Sequence, residues 1–256
     1  MSGLLPLLRK ELRELLRTYR ALVVAVAFVI VGLGSPLAAK LTPRLLSSLA
    51  SDPTGGVELV LTREPSTNDA LFQYHKNLAL LPVLVILLAM GSLSSERRRG
   101  TAQLVLTKPI SRRAYLLAKL IAPGALYLAG IAVAGGGCLL YTWLLFGAVD
   151  VGGFILLNLL YLLALWFYLA VTVLASAALD SAIAAGGVGL AAFALCGLLG
   201  SFDRIGRYSP GGLFNAALAL VRGTDRAGLV PSLVATALLI AVCAAIADRV
   251  LEHQEL

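Results

Sequence analysis

The sequence lacks the residue patterns of the common catalytic and energy-coupling sites. It has no G-x-x-x-x-G-K-[ST] loop to hold a nucleotide phosphate, no H-E-x-x-H zinc motif and no G-x-S-x-G nucleophile elbow. His75 and His253 are isolated in polar segments. The aspartates that could act in pairs lie at the ends of apolar runs: Asp150, Asp180, Asp203 and Asp248. We therefore expect no catalytic residue, no bound cofactor and no metal site in this chain.

The composition places the chain in a membrane. Of its 256 residues, 59% are hydrophobic and 14% are charged, whereas soluble domains are about half apolar and about a quarter charged. The net charge of +7 could indicate a nucleic-acid partner, but the positive-inside bias of membrane proteins is the favoured explanation. We expect no nucleic-acid partner. The cysteines lie inside apolar runs and indicate no disulfide framework: Cys138, Cys196 and Cys243.

Six apolar segments are long enough to cross a bilayer. A hydrocarbon core of about 30 Å needs about 20 apolar residues in helix. Because backbone polar groups must be paired inside hydrocarbon, these segments are predicted to be helices. The predicted spans are 21–39, 78–95, 120–146, 151–179, 183–201 and 229–247. The predicted fold class is an all-α integral membrane protein, with residues 21–256 forming a six-span transmembrane domain.

The basic residues orient the predicted spans. With the N-terminus inside, thirteen Lys and Arg residues fall in cytoplasmic segments and eight in two longer outside segments, 40–77 and 202–228. Both termini are therefore predicted to be cytoplasmic. Proline and glycine are expected to break 40–77 into short helices and turns. In 202–228, Ser209 and Pro210 precede a moderately apolar stretch that is either a re-entrant helix or a surface loop.

The first twenty residues predict an amphipathic interfacial helix. At 100° per residue, its apolar side chains fall within an arc of about 120°, and charged residues occupy the opposite face. The apolar set is Leu4, Leu5, Leu8, Leu12, Leu15, Leu16 and Tyr19. Such a helix lies among membrane lipid headgroups with its arginines toward anionic lipid. It serves either as an anchor or as a docking element for a partner.

The span interiors are nearly free of ionisable groups. The nearest is Lys119, at a cytoplasmic end from which its ammonium group is expected to snorkel into water. Ion-coupled carriers place charges inside the membrane, so this pattern disfavours such a carrier. In the fifth span, Gly186 and Gly189 allow a close helix approach. That approach is either a homodimer seam or packing within one chain.

The cytoplasmic segment 96–113 between the second and third spans stands apart from the other connections. The second helix is expected to continue past the apolar run and to bend at Gly100. Thr101 can then cap a short helix over residues 102–106, and Pro109 ends it. This helix would lie across the membrane face and offer apolar side chains to a partner: Leu104, Val105 and Leu106.

This segment resembles the ABC type-2 exporter permeases, and within them the Nos-type permeases associated with nitrous-oxide reductase maturation. The resemblance implies a coupling helix that docks on a separate cytosolic ABC ATPase dimer, which would hold ATP and Mg. The residues it assigns to coupling are Glu96, Arg97, Gly100, Thr101, Leu104, Val105, Leu106, Lys108 and Pro109. It also implies that the first and fifth spans contact a second permease copy or a homologous permease. Candidate packing positions there are Gly32, Gly186 and Gly189.

Three functions are compatible with the sequence to different degrees. The first is the permease subunit of an ABC exporter in the plasma or inner membrane, with a hydrophobic or lipid-like cargo. The second is a non-transporting scaffold that tethers an ATPase to an extracytoplasmic partner. The third is a lipid-modifying enzyme in which Arg204 and Arg207 would hold a phosphate. The missing catalytic pattern disfavours the enzyme, and the sequence favours the exporter.

Overall fold

A computed structural model describes residues 3–50, 64–100, 111–224 and 228–253, with the backbone alone at 44–50 and 203. Every regular element in these ranges is an α-helix. Six helical segments among the described residues are long and apolar enough to cross a membrane. The predicted all-α, six-span fold class is thereby confirmed.

The helices alternate between long membrane spans and short surface elements. In chain order they are α1 (Leu4–Arg17), α2 (Tyr19–Ala50), α3 (Thr67–Leu78), α4 (Leu81–Ala89), α5 (Ser94–Arg98), α6 (Arg112–Phe146), α7 (Val151–Ala178), α8 (Ala182–Gly200), α9 (Asp203–Gly206), α10 (Gly212–Arg222) and α11 (Leu229–His253). The first span is α2 as far as Pro43, and the second is the broken segment Thr67–Arg98 made of α3, α4 and α5. The third to sixth spans are α6, α7, α8 and α11.

The first and second spans extend beyond the predicted apolar segments into 40–77. Helix α2 continues through Pro36 and Pro43, and the second span begins at Thr67 rather than near residue 78. The length of an apolar run predicts only the part of a helix that lies in hydrocarbon, whereas side-chain caps decide where the helix starts. Here Ser66 and Asp69 form a capping box, with the Ser66 N–H donating to Asp69 Oδ2 at 2.7 Å. Residues 40–50 and 67–77 are therefore helical, contrary to the expected break of 40–77 into short helices and turns, and residues 51–63 lie outside the described part.

The third and fourth spans form the centre of the bundle. Within the most apolar 18-residue stretch of each span, the buried share is 61% in the fourth span, 22% in the fifth and 11% in the sixth. Four tyrosines are fully buried on these two central helices, where their rings fill the space between spans: Tyr115, Tyr127, Tyr161 and Tyr168. The fifth and sixth spans therefore lie at the periphery and expose apolar faces.

The first and third spans approach each other closely through glycine. An ideal Cβ at Gly32 would lie 2.5 Å from the backbone oxygen of Ala134, and one at Gly130 would lie 2.8 Å from the Phe28 ring. Neither position can hold a larger side chain without moving a backbone or a buried aromatic ring. This contact places the start of the first span, and α1 before it, against α6.

We predict that Gly32→Ala lowers the melting temperature of the purified protein in detergent. The added methyl group meets backbone atoms of α6, and overpacking of this kind costs about 1–3 kcal/mol. The matched control is Gly34→Ala on the same helix, where the nearest atom is a side-chain carbon 3.9 Å away. The control should leave the melting temperature unchanged or raise it, since alanine favours helix over glycine. Equal shifts in the two variants would contradict the assigned contact.

Candidate functional site

Three charged side chains converge where α1, α5 and α6 meet. They are Glu11, Glu96 and Lys119, and we refer to them as the Lys119 cluster. Lys119 Nζ lies 2.9 Å from Glu11 Oε2 and also pairs with Glu96 Oε1. The side chains of Lys119, Glu11 and Glu96 are 6%, 8% and 17% exposed. One lysine thus joins three separate helices in a place that water barely reaches.

Two further side chains bind the carboxylates of the Lys119 cluster. The Tyr115 hydroxyl donates to Glu96 Oε2, so both carboxylate oxygens of Glu96 are engaged. Lys10 Nζ lies 3.1 Å from Glu11 Oε1 and 3.4 Å from Glu14 Oε2. Burial alone would lower the pKa of Lys10, but the adjacent Glu11, helped by Glu96 and Glu14, outweighs it and raises that pKa. Lys10 therefore keeps its charge at neutral pH and gives Glu11 a second positive partner besides Lys119.

Lys119 does not snorkel into water as the sequence led us to expect. Its side chain is buried, because Glu11 and Glu96 supply the interactions that an exposed ammonium group would find in solvent. A buried charge is tolerated only where its partners are close and themselves hydrogen-bonded. The cluster meets that condition through Tyr115 and Lys10.

Arg97, next to the cluster, binds the end of the fourth span. Its guanidinium donates to the backbone oxygens of Ala177 at 2.7 Å and Leu179 at 2.6 Å. Asp180 lies 3.4 Å from the same group. The last carbonyls of a helix lack intrahelical donors and carry partial negative charge, so a cation stabilises them. Arg97 thereby connects α5 to the turn between the fourth and fifth spans.

A serine of the fourth span reinforces this connection from the other direction. Ser176 Oγ accepts hydrogen bonds from the backbone N–H groups of Leu93 and Ser94, each at 3.1 Å. Those N–H groups belong to the start of α5, where no earlier helical turn supplies acceptors. The break in the second span is therefore stabilised by the helix that packs beside it.

Two arginines at the start of the third span bind the end of the sixth. Arg112 donates to the backbone oxygen of Glu252 at 2.9 Å and to that of Leu251. Arg113 Nε lies 2.8 Å from Asp248 Oδ2, although the arginine side chain is 70% exposed. As with Arg97, a cation meets the carbonyl end of a helix. The third and sixth spans are thus tied together at the same membrane face.

These contacts flank the predicted coupling residues on both sides. Glu96 and Arg97 are engaged as described, and Gly100 ends the preceding turn with a φ of +69°, a left-handed value that glycine adopts readily. The other residues assigned to coupling lie outside the described part of the chain: Thr101, Leu104, Val105, Leu106, Lys108 and Pro109. Their coupling role stays a prediction.

The family described as "ABC-2 family transporter protein" has a sequence model that matches residues 5–202. The match includes the Lys119 cluster and most of the bundle. The chain belongs to this family.

This ABC-2 protein is similar to the "Uncharacterized transmembrane protein YxlG" of Bacillus subtilis (strain 168). The two are 28% identical over 147 residues, which is 57% of this chain and 56% of the relative. The chain therefore matches somewhat over half the length of that relative. Family membership and six apolar helices together make this a multi-pass cell-membrane protein.

The glycines proposed for a dimer contact pack within the ABC-2 chain itself. Ideal Cβ atoms at these positions would come within 3 Å of other helices of the same chain: Gly32 meets Ala134, Gly186 meets Met90, and Gly189 meets Ile86 and Thr172. The sequence left two alternatives open for Gly186 and Gly189, a homodimer seam and packing within one chain. In the structure both glycines pack within the chain. A dimer contact through the first and fifth spans stays a prediction, and it would have to use other faces of those helices.

The segment after the fifth span, which was predicted to lie outside, packs against the bundle. Ser209 and Pro210 are buried, and a Cβ at the following Gly211 would clash with the Cys196 backbone oxygen of α8. Helix α10 follows, with Leu213 and Ala217 among its fully buried residues. Its 11 residues are too few to span a bilayer. The described part of this segment is therefore a packed helix rather than a surface loop.

The described residues bring no three His, Cys, Asp or Glu side chains close enough to hold a metal ion. His75 is instead a packing residue: its ring nitrogen Nδ1 lies 2.8 Å from the Tyr161 hydroxyl. Arg204 and Arg207, which a lipid-modifying enzyme would need for a phosphate, are both exposed.

Glu11 is not among the residues predicted from the sequence, although the sequence holds a signal for it. At 100° per residue, Glu11 projects between Leu4 and Leu7, at the edge of the apolar arc of α1 and away from its charged face. An acidic residue on the buried face of an amphipathic helix requires a partner of opposite charge. Lys119, at the edge of an apolar run, is a cation of the required charge.

We predict that Lys119→Met destabilises the protein strongly. Removing the lysine leaves Glu11 and Glu96 buried without their main partner, a change that costs about 3–5 kcal/mol in comparable sites. The measurement is the melting temperature in detergent, and Lys76→Met at an exposed position is the control. Adding Glu11→Gln and Glu96→Gln to Lys119→Met should recover part of the loss, because no uncompensated charge then stays buried. A single variant as stable as the control would refute the pairing.

Proposed function

We propose that this chain is the permease subunit of an ABC exporter, and that segment 96–113 couples a separate cytosolic ATPase dimer to the spans. The observation that carries this proposal is the anchoring of the segment. On one side Arg97 binds the end of the fourth span, and on the other Arg112 and Arg113 bind the end of the sixth. The chain has no phosphate-binding loop, so ATP and Mg are assigned to the partner.

The anchoring suggests how a displacement would spread. ATPase subunits that close on ATP would move the two docked segments toward each other. A segment tied at both ends to different spans transmits that displacement to the fourth and sixth spans as well as to the helices it joins. The Lys119 cluster would carry the same displacement to α1, because buried and fully paired contacts resist stretching.

The composition of the spans and the faces they expose suggest the cargo and the assembly. Few ionisable groups lie inside the spans, which favours a hydrophobic or lipid-like cargo. A second copy, or a homologous permease, would complete the pathway along exposed faces of the first and fifth spans. The packed outside segment, with α3 and α10, offers a surface for an extracytoplasmic partner. The finer resemblance to Nos-type permeases rests on residues 94–119 of the sequence.

We predict that Leu104→Arg with Leu106→Arg abolishes co-purification of an ABC ATPase from the native membrane. These leucines are the proposed docking side chains, and two buried guanidinium groups would prevent an apolar contact. Glu96 is unsuitable for this test because it is buried in the Lys119 cluster. The control is His253→Arg, which adds a positive charge at an exposed position near the end of α11.

The pull-down is read by mass spectrometry on protein that elutes as a single folded species. The proposal requires the ATPase with the unmodified chain and with the control, but not with the double variant. An ATPase retained by the double variant would place the docking surface elsewhere. If the unmodified chain recovers no ATPase, the permease function proposed here is wrong.

We also predict that the Lys119 cluster is needed to move α1 when ATP binds. A fluorophore at Leu16→Cys, an exposed position on α1, should report an ATP-dependent change in the complex, with Cys243→Ala in the background. Glu11→Gln should reduce that change at least several-fold, because the charged link to Lys119 is lost. Glu14→Gln is the matched control on the same helix, since Glu14 contacts Lys10 rather than Lys119.

Comparing Glu11→Gln with Glu14→Gln distinguishes loss of the Glu11–Lys119 contact from loss of ATPase binding. Both variants must still co-purify with the ATPase, so that a lost signal reports coupling. Equal signals in Glu11→Gln and Glu14→Gln would show that α1 moves independently of the cluster.

A further inference from the structure

A cavity of about 430 Å³ lies beside the Lys119 cluster, between α1, the start of the first span, the end of the second and α6. Its volume falls within the range of about 300–1,000 Å³ that is typical of small-molecule sites. The cavity is partly open rather than sealed. The coupling mechanism proposed above makes no use of it.

The cavity wall changes from charged to apolar along the direction of the spans. On the first span the lining begins with Arg20 and continues to Val24. On the third it runs from Lys119 to Leu126, about 10 Å deeper at 1.5 Å per residue. On the second span it runs from Arg99 through Ser92 to Leu88. All three helices show the same gradient, which matches a molecule with a polar head and an apolar body lying parallel to the spans.

The charges that line the cavity favour an anion. Its three carboxylates are already paired, Glu14 with Lys10 and the other two within the Lys119 cluster. Arg20 and Arg99 also line the cavity, and neither has a salt bridge to a carboxylate among the described residues. Two guanidinium groups at the polar end of a cavity are suited to a phosphate group.

A buried hydroxyl supports the same conclusion. Ser92 is among the residues that line the cavity, and its Oγ is shielded from solvent and has no hydrogen-bond partner in the described structure. Buried hydroxyl groups in native proteins nearly always have a partner, so an unmatched one calls for a bound group or water. Along the second span, Ser92 lies between Arg99 at the basic end of the cavity and Leu88 at its apolar end.

We propose that this cavity binds one anionic phospholipid, with Arg20 and Arg99 contacting the headgroup phosphate and Val24, Leu88 and Leu126 contacting the acyl chains. A phospholipid suits the site better than a soluble phosphate compound because half of the lining is apolar and α1 is amphipathic, as helices at the lipid surface are. The proposal goes beyond the exporter function, since it holds whether the lipid is cargo or a permanent component.

The test is native mass spectrometry of the purified full chain with added phosphatidylglycerol or phosphatidylcholine. The unmodified chain should bind one phosphatidylglycerol at least tenfold more tightly than phosphatidylcholine. Arg20→Gln with Arg99→Gln should remove that preference. The control is Arg204→Gln with Arg207→Gln, which removes the same charge from exposed positions outside the cavity lining. A preference that persists in the first variant, or that disappears equally in the control, would overturn the proposal.

A second variant separates a phospholipid from a free anion. Leu126→Trp fills the apolar end and leaves both arginines in place, so it should weaken phosphatidylglycerol binding at least tenfold. Inorganic phosphate, added as a competitor, should displace little phosphatidylglycerol from the unmodified chain. Full displacement by phosphate, with no effect of Leu126→Trp, would identify a free-anion site and refute the phospholipid. If Leu126→Trp does not elute as a single species, the arginine variants and the phosphate competition still decide the result.

Discussion

The bilayer cannot solvate a charge or an unpaired backbone group, and this constraint shapes the end of the bundle where α1, α5 and α6 meet. The Lys119 side chain is buried there, where water barely reaches. It is stable there because Glu11 and Glu96 arrive from two other helices. The position of α1 against α6, and the fold of α5 onto α6, both depend on bringing those carboxylates to the lysine. The close glycine contact between Gly32 and Ala134 permits the same arrangement.

The constraint explains the arginines as well. The last carbonyls of the fourth and sixth spans have no hydrogen-bond donors within their own helices. The guanidinium groups of Arg97 and Arg112, on either side of residues 101–110, donate to these carbonyls. In this way the requirement to satisfy helix ends also links four spans at one membrane face. A surface that receives force from a partner benefits from such links, because each is a direct contact rather than a flexible connection.

Much of the architecture could be predicted from the sequence. Six runs of apolar residues are sufficient for six helices, since hydrocarbon allows hardly any other backbone structure. The limits of those helices were less predictable. The start of the second span at Thr67 depends on the Ser66–Asp69 capping box. The break before Ser94 depends on the Ser176 hydroxyl, which lies 82 residues away in sequence but beside the break in space. Side-chain capping of this kind leaves only a weak trace in a hydropathy pattern.

The sequence by itself determined that this is a helical membrane protein with a distinctive segment between its second and third spans, because composition, apolar length and local motif are properties of neighbouring residues. Only the tertiary structure decided which charges meet. Glu11 and Lys119 are 108 positions apart, and Arg97 meets carbonyls some 80 positions away. Periodicity shows that Glu11 is out of place on its helix, but it does not identify the partner. The packing of the spans selects that partner, since a buried charge is stable only where three-dimensional proximity provides its complement.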